Sequence, residues 1–227
     1  LWAFLVARQQ AVLMAHTDKP LPFYGQILPG LRAITLNYTS FLQQHLGVEQ
    51  TIHFHGGLAD YVRMDTRDLL AIENVLTLDP VEFIQKVIAP NVDFSHDDMR
   101  LHKHVIPAMV PPLRLKPILS HRYIELWGQA SHWVEEAERI VVVGYSFNNA
   151  DEHFNDILRN HDGKRIDIVS PGATSEHSLH RMEKIFGTAA NQYNVCTVQG
   201  RSCKQAKKIR LIPAKADEID LSALFSG

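Results

Sequence analysis

Arg139-Ile140-Val141-Val142-Val143-Gly144-Tyr145-Ser146-Phe147-Asn148-Asn149-Ala150-Asp151 is the stretch that decides the fold. Ile140 to Val143 is an uninterrupted apolar run, as in a strand buried on both faces of a parallel sheet. Gly144 ends that run where the backbone must turn or let something approach. Asn149 precedes Glu152 by three positions, a polar cap with an acidic partner at a helix start. The segment therefore reads strand, tight turn, helix. In open α/β sheets ligands bind in the crevice at the carboxyl ends of such strands, and free N–H groups at the helix start suit phosphate or ribose oxygens. With a single glycine it is not a dinucleotide fingerprint, and taken alone it also describes an ordinary strand-to-helix turn.

Working outward, other segments repeat the pattern. Leu1 to His16 has apolar residues at helical spacing and no glycine or proline. Pro20, Pro22, Gly25, Pro29 and Gly30 mark a loop. Ala33 to Leu36 reads as a short strand that runs into Asn37-Tyr38-Thr39-Ser40 and a short helix ending near Gly47. Thr51 to His55 is the next strand, closed by Gly56-Gly57. Pro80 to Ala89 predicts a helix with proline in its first turn, and Asn91 to His104 a polar loop. Tyr123, Leu126, Trp127, Ala130, Val134 and Ala137 fall near one face of a helix over Ser120 to Glu138. A helix from Ala150 to about Asn160, a strand over Arg165 to Val169 and a helix over Thr174 to Phe186 follow. The tail is less regular, with a strand at Ile209 to Ile212 and a closing helix at Leu221 to Phe225. Short strands alternating with helices predict an α/β fold, a Rossmann-like parallel sheet with helices on both faces, in one domain over 1–227. Residues 58–115 read as a mostly helical or loop insertion, a candidate lid.

Composition narrows the class. The 227 residues are 45 % hydrophobic, enough for a buried core, with a net charge of −2, so no global basic field invites nucleic acid. The short basic cluster Lys204, Lys207, Lys208, Arg210 reads as a solvated face. Two cysteines, Cys196 and Cys203, are too few for a disulfide framework or a four-cysteine zinc site, and a reduced cytoplasmic setting fits them. No apolar run reaches membrane-spanning length. The chain does not begin with Met, which suggests a piece of a longer protein.

If the strands beginning at Ala33, Thr51, Ile140 and Arg165 lie in one parallel sheet, Asn37, His55, Ser146 and Ser170 meet at one edge. Their order and spacing resemble the sirtuin-like NAD-binding family. That family carries Thr-Gln-Asn-x-Asp, His-Gly, Gly-Thr-Ser and a strand ending in Asn. Here Thr35-Leu36-Asn37-Tyr38-Thr39, His55-Gly56, Gly144-Tyr145-Ser146 and Ser170 stand in those places, with eighteen positions from Asn37 to His55. Asn-Tyr-Thr resembles the abortive-infection relatives of the anti-phage branch more than the protein deacylases. The likeness covers about residues 30 to 175. It departs at Leu36 and Thr39, where the family has Gln and Asp. The zinc-binding cysteines have no counterpart between His55 and Ile140, and Leu1 to His16 lacks the family's glycine-rich pyrophosphate loop.

The resemblance implies an NAD hydrolase that cleaves the nicotinamide–ribose bond in anti-phage defence, with NAD as substrate and a homo-oligomer or further domains as partners. It assigns the chemistry to Asn37 and His55. A neutral amide can orient a ribose hydroxyl or a water, and an imidazole titrating near neutrality can take a proton. The same residues also read as an Asx turn and a core histidine. His53 is the rival base, but lacks the following glycine. Cofactor contacts fall to Thr35, Tyr38, Thr39, Gly56, Gly144, Tyr145, Ser146, Asp151 and Ser170. No metal site is assigned. His96, His102 and His104 cluster with Asp93, Asp97 and Asp98, and a solvated loop explains them better than a metal. The departures at Leu36 and Thr39 keep open a non-catalytic nucleotide-binding sensor module.

Overall fold

The computed structural model describes residues 1–16, 21, 23–72, 77–85, 105–111, 118, 120–160 and 163–226. They fall into two units, Leu1–Tyr24 with Pro29–Ala130 and Gly25–Leu28 with Ser131–Gly227. The loop expected over Asn91 to His104, with its histidine and aspartate cluster, lies outside the described residues, as does the end of the helix expected to reach Ala89.

In the first unit, helix α1 (Trp2–Met14) packs Trp2 and Val6 against Leu58, with Phe83 and Tyr38 at the edge of the cluster. Each fully buried side chain of this kind contributes about 1.5–3 kcal/mol. Strand β1 (Ala33–Thr35) leads through helix α2 (Phe41–Leu46) to strand β2 (Thr51–His53). The strands pair in parallel, Thr35 opposite His53, as a helical crossover permits. β2 ends two residues earlier than its apolar pattern suggests, because Phe54 and His55 enter a turn closed by Gly56 N–H donating to the His53 carbonyl at 3.0 Å.

The described residues of the 58–115 segment include strands where a mostly helical or loop insertion is expected. β3 (Asp60–Arg63) pairs antiparallel with β4 (Leu69–Ala71) and with β5 (Val105–Pro107). A single turn, α3 (Pro80–Phe83), carries Pro80 at its start and is capped by Asp79, whose carboxylate accepts from Val81 and Glu82 N–H. Helix α4 (Arg122–Glu136), whose residues to Ala130 belong to this unit, buries Tyr123 and Ala130 on its apolar face.

The second unit is a five-stranded mixed sheet. β6 (Arg139–Val143) leads through α5 (Glu152–Arg159) to β7 (Arg165–Val169), in parallel register Val141 to Asp167. A 3-10 turn (Asn149–Asp151) precedes α5 and is capped by Asn148, which accepts from Ala150 N–H at 3.1 Å; the side-chain cap therefore sits one residue before the expected Asn149, and α5 itself starts after Asp151 without one. Helix α6 (Glu176–Phe186) follows. The tail is more regular than its sequence suggests: β8 (Asn194–Val198) and β9 (Arg201–Ala206) form a hairpin about Gln199-Gly200. β10 (Ile209–Ile212) then pairs antiparallel with β9 and parallel with β7, and α7 (Leu221–Ser226) closes the chain.

The class is α/β, with three parallel strand pairs and helical crossovers, as expected. The single four-stranded parallel sheet is not formed among the described residues. β1 and β2 make a sheet of their own, and β7 has β6 on one side and β10 on the other, so its second edge is already taken. The basic cluster is also not wholly a solvated face. Arg210 donates to Asp167 through Nη2 at 2.8 Å, and Arg139 reaches the same carboxylate through Nη2 at 3.0 Å. Asp167 has no exposed surface and Arg210 only 15 % of its side chain.

Candidate functional site

In the first unit the ends of β1 and β2 bring Thr35, Asn37, Tyr38, His53, His55 and Gly56 onto neighbouring backbone. Asn37 is held twice through its main chain: its N–H donates to Thr35 Oγ1 at 3.1 Å, and its carbonyl accepts from the His53 ring at 3.2 Å. Its side-chain amide is exposed and has no protein partner among the described residues. That is the arrangement for an amide kept free to meet a ligand. The chain after it is pinned from α1, where buried Gln9 accepts from Ser40 N–H at 2.7 Å. Thr39, between them, is half-buried.

Both histidines are buried, with exposures of 8 % at His53 and 3 % at His55. A carbonyl only accepts, so His53 carries its proton on Nδ1 and keeps its lone pair on Nε2. That Nε2 has no hydrogen-bond partner among the described residues. Burial pulls the His53 pKa below its ordinary value, against the opposing pull of the Asn37 carbonyl. The His55 ring lies beside Tyr38 and Phe54, at 6.4 and 5.6 Å between centroids. Val110 ties the two strand ends together: the Tyr38 hydroxyl donates to its carbonyl, and its N–H donates to the His55 carbonyl, both at 2.8 Å.

Gly56 has φ +79, and a Cβ there would stand 1.8 Å from the Ala108 carbonyl oxygen and 2.5 Å from the Tyr123 hydroxyl. Its lack of a side chain is therefore used inside the protein fabric. Asp60, which the sequence reading did not single out, lies beside this turn. Its Oδ2 and the His53 ring both face Gly57, 3.3 and 3.5 Å from where a Cβ would stand. Burial pushes the Asp60 carboxyl up to about 6, although the Gly57 N–H pulls it down. The Tyr123 hydroxyl is raised first by burial and then by the nearby Asp60 and Tyr38.

The Asp60 shift makes a prediction. Its folded-state pKa lies above the unfolded value near 3.9, so the folded state binds the proton more tightly. The stabilisation is complete below about pH 4 and lost as pH rises through about 6. Asp60→Asn should flatten that slope and raise stability at pH 8 by up to about 3 kcal/mol. Urea unfolding at pH 5 and pH 8 checks it; a variant weaker than wild type at both values contradicts it.

In the second unit Gly144, Tyr145, Ser146 and Ser170 follow β6 and β7 directly. Gly144 has φ +67, with open space where a Cβ would be, and its N–H donates to the Val169 carbonyl at 2.9 Å. Phe147 also has positive φ, +53, unusual for an aromatic residue. Its buried ring, packed on Tyr145 and Phe186, holds that backbone and leaves Ser146 exposed. The Tyr145 hydroxyl donates to Asn155 Oδ1 at 2.7 Å, and its ring packs against Phe147 and Phe154. Asp151 is buried, its N–H bonded to the Asn148 carbonyl.

Tyr145, Ser146 and Ser170 line a cavity of about 100 Å³ together with Phe147, Ser178 and Arg181. Arg181 donates through Nη1 to the Ser146 carbonyl. Ser178 and Arg181 are spaced i, i+3 on α6, so helical periodicity was the signal that could have joined them to the site. Asp60 had no comparable signal. Asp151 and Gly144 are not among the residues lining the cavity. Among the described residues no group of three or more histidine, cysteine or acidic side chains is placed to hold a metal, and no helix is long and apolar enough to cross a membrane.

No protein-family model matches the sequence, and no curated protein matches it. Among solved structures, the chain is similar to a sirtuin studied for its substrate affinity, at 19 % identity over 69 % of this chain with a TM-score of 0.42. It is similar to Sir2 bound to a peptide and NAD⁺, at 18 % identity over 74 % with a TM-score of 0.45. A Sir2 homologue mutant in complex with ADP-ribose is 18 % identical over 83 %, with a TM-score of 0.47. The matches span 59 %, 63 % and 66 % of those chains, less than two thirds of each.

Proposed function

We propose that the protein binds NAD and hydrolyses its nicotinamide–ribose bond, serving in anti-phage defence as the Asn-Tyr-Thr resemblance suggests. The observation that carries this reading is Asn37: its backbone is fixed at both ends, by Thr35 and by the His53 ring, and its amide is left exposed at the end of a parallel strand pair whose second strand leads into His55. In the reaction, water adds to the ribose carbon as nicotinamide departs, giving ADP-ribose and one proton. Asn37 orients the water or a ribose hydroxyl, and His55 takes the proton. Thr35 and His53 position Asn37.

A second reading, a nucleotide-binding sensor module without chemistry, is favoured by the 3 % exposure of His55, which leaves little of its ring open to a substrate. The two are separated by one pair of measurements on the full-length protein. Binding of NAD at about a hundred times its Kd should stabilise the fold by about 2.7 kcal/mol and raise Tm by several degrees. Nicotinamide release over the same titration supports hydrolysis. A Tm shift without release supports the sensor, and no shift at millimolar NAD removes both.

A further inference from the structure

The cavity beside Ser146 adds Arg181 and Ser178 to the expected cofactor contacts Tyr145, Ser146 and Ser170. Arg181 brings a guanidinium to it, and Ser146, Ser170 and Ser178 are the serines lining it; no carboxylate residue is among its lining. One N–H of Arg181 is committed to the Ser146 carbonyl, which fixes the side chain and leaves further donors of the fork available. Arg181 has no acidic partner among the described residues. Its charge reaches the Tyr145 ring, where it opposes the upward push of burial on that hydroxyl.

Size limits what fits. A volume of about 100 Å³ is several waters' worth and well below the roughly 300 Å³ at which whole-ligand pockets begin. It suits one compact polar group, not an adenine with its ribose. Position points the same way, since the lining residues Tyr145, Ser146 and Ser170 immediately follow the parallel strands β6 and β7. In dinucleotide sites on such edges an acidic side chain takes a free ribose diol, whereas arginine accommodates a phosphate there. Asp151, the acidic residue expected to take a ribose hydroxyl, is buried and is not part of the lining.

We propose that Arg181, with Ser146, Ser170 and Ser178, forms a phosphate subsite, and that the protein's preferred ligand is a dinucleotide whose ribose carries a phosphate monoester. This rests on the nicotinamide-dinucleotide reading and narrows its substrate to the phosphorylated form. The shared chemistry is an anionic phosphoryl oxygen, which a ligand can present from a monoester dianion at the ribose 2′ position or from a singly charged phosphate of its 5′ pyrophosphate.

Calorimetry at low salt with NAD, NADP, 2′-AMP and 5′-AMP tests this on the full-length protein and on Arg181→Gln and Arg181→Lys. Wild type should bind NADP about tenfold or more tightly than NAD, and 2′-AMP more tightly than 5′-AMP. Arg181→Gln should weaken NADP by about 10- to 100-fold, the range of charge-assisted hydrogen bonds, and leave NAD within about threefold. Arg181→Lys should retain part of the preference, since charge remains and the fork is lost. A purely structural tether from Arg181 to Ser146 would weaken both dinucleotides alike, and that result overturns the proposal. Equal affinity of wild type for NAD and NADP overturns it and leaves the NAD reading standing. Arg181-dependent 2′-AMP binding with neither dinucleotide bound keeps the subsite and removes the NAD reading. No binding of any ligand removes both. An Arg181-dependent preference for 5′-AMP assigns the cavity to a pyrophosphate oxygen and overturns the ribose-phosphate assignment. If Arg181→Gln does not fold, the wild-type preference and Arg181→Lys decide the matter.

Discussion

Gly56→Ala should cost the protein about 3–5 kcal/mol of stability, the sum of a left-handed backbone and a forced overlap. The backbone at φ +79 disfavours any side chain, but the larger cost is steric. The new methyl would stand 1.8 Å from the Ala108 carbonyl oxygen, which is backbone and cannot swing aside. That oxygen accepts from the Tyr123 hydroxyl at 2.9 Å, and the Ala108 N–H donates to the Asp60 carbonyl at 2.9 Å, so both ends of the peptide are tied. Gly144→Ala is the control. It meets the same disfavoured backbone, φ +67, with nothing within 4 Å of the added methyl, and should cost only about 1–2 kcal/mol. Urea unfolding of the two variants checks the pair. Equal losses would mean that the strand ends give way more easily than the tied peptide implies.

On the hydrolase reading, His55→Ala and Asn37→Ala should each lower nicotinamide release by about a hundredfold or more, the range for proton transfer and positioning groups. Asn37→Ala should leave stability nearly unchanged, because the exposed amide makes no hydrogen bond with the described residues, while its main chain keeps both of its bonds. His55→Ala removes a buried ring beside Phe54 and Tyr38, so its fold must be checked by melting before its rate is read. His53→Ala separates the histidines. Its ring holds the Asn37 carbonyl, so its loss should slow release by less than either catalytic change, by loosening Asn37. A collapse of activity in His53→Ala alone would name His53, with its unpartnered Nε2, as the base. Unchanged rates in all three variants would place the chemistry elsewhere.

The parts of the fold written in short-range pattern were readable. β6 and β7, with α5 between them, follow from apolar runs, a glycine stop and polar caps, and the crossover makes the strands parallel. The β1–β2 pair follows from the same logic. What the sequence hid was which edges meet. β10 takes the far side of β7, a pairing 43 residues distant that no local period specifies. β8 and β9 were masked by mixed polarity: both carry exposed polar residues, so neither shows a clean apolar run. β3, β4 and β5 are only three or four residues long, too short for alternation to register. Among the candidate site residues, Asn37 and His55 stood out by motif, and Ser146 and Ser170 by position after strands. Asp60 and Arg181 act through neighbours brought close by folding. A lone aspartate after two glycines, and one arginine in an amphipathic helix, carry no mark of that environment.

Asp167 has a consequence for how the second sheet assembles. One carboxylate on the middle strand receives guanidinium groups from the strands on both sides, directly from Arg210 and diagonally from Arg139. Side chains alternate across a strand, so a slip of either neighbour by one residue would send its arginine to the opposite face. The slipped sheet would then bury a carboxylate short of a counter-charge, a fault that costs several kcal/mol. The apolar residues of β6, β7 and β10 would tolerate such a slip far better, because isoleucine and valine resemble one another at successive positions. The ion cluster thus acts as a proofreader of strand pairing: hydrophobic burial gathers the strands, and a single aspartate rejects their near-miss alignments.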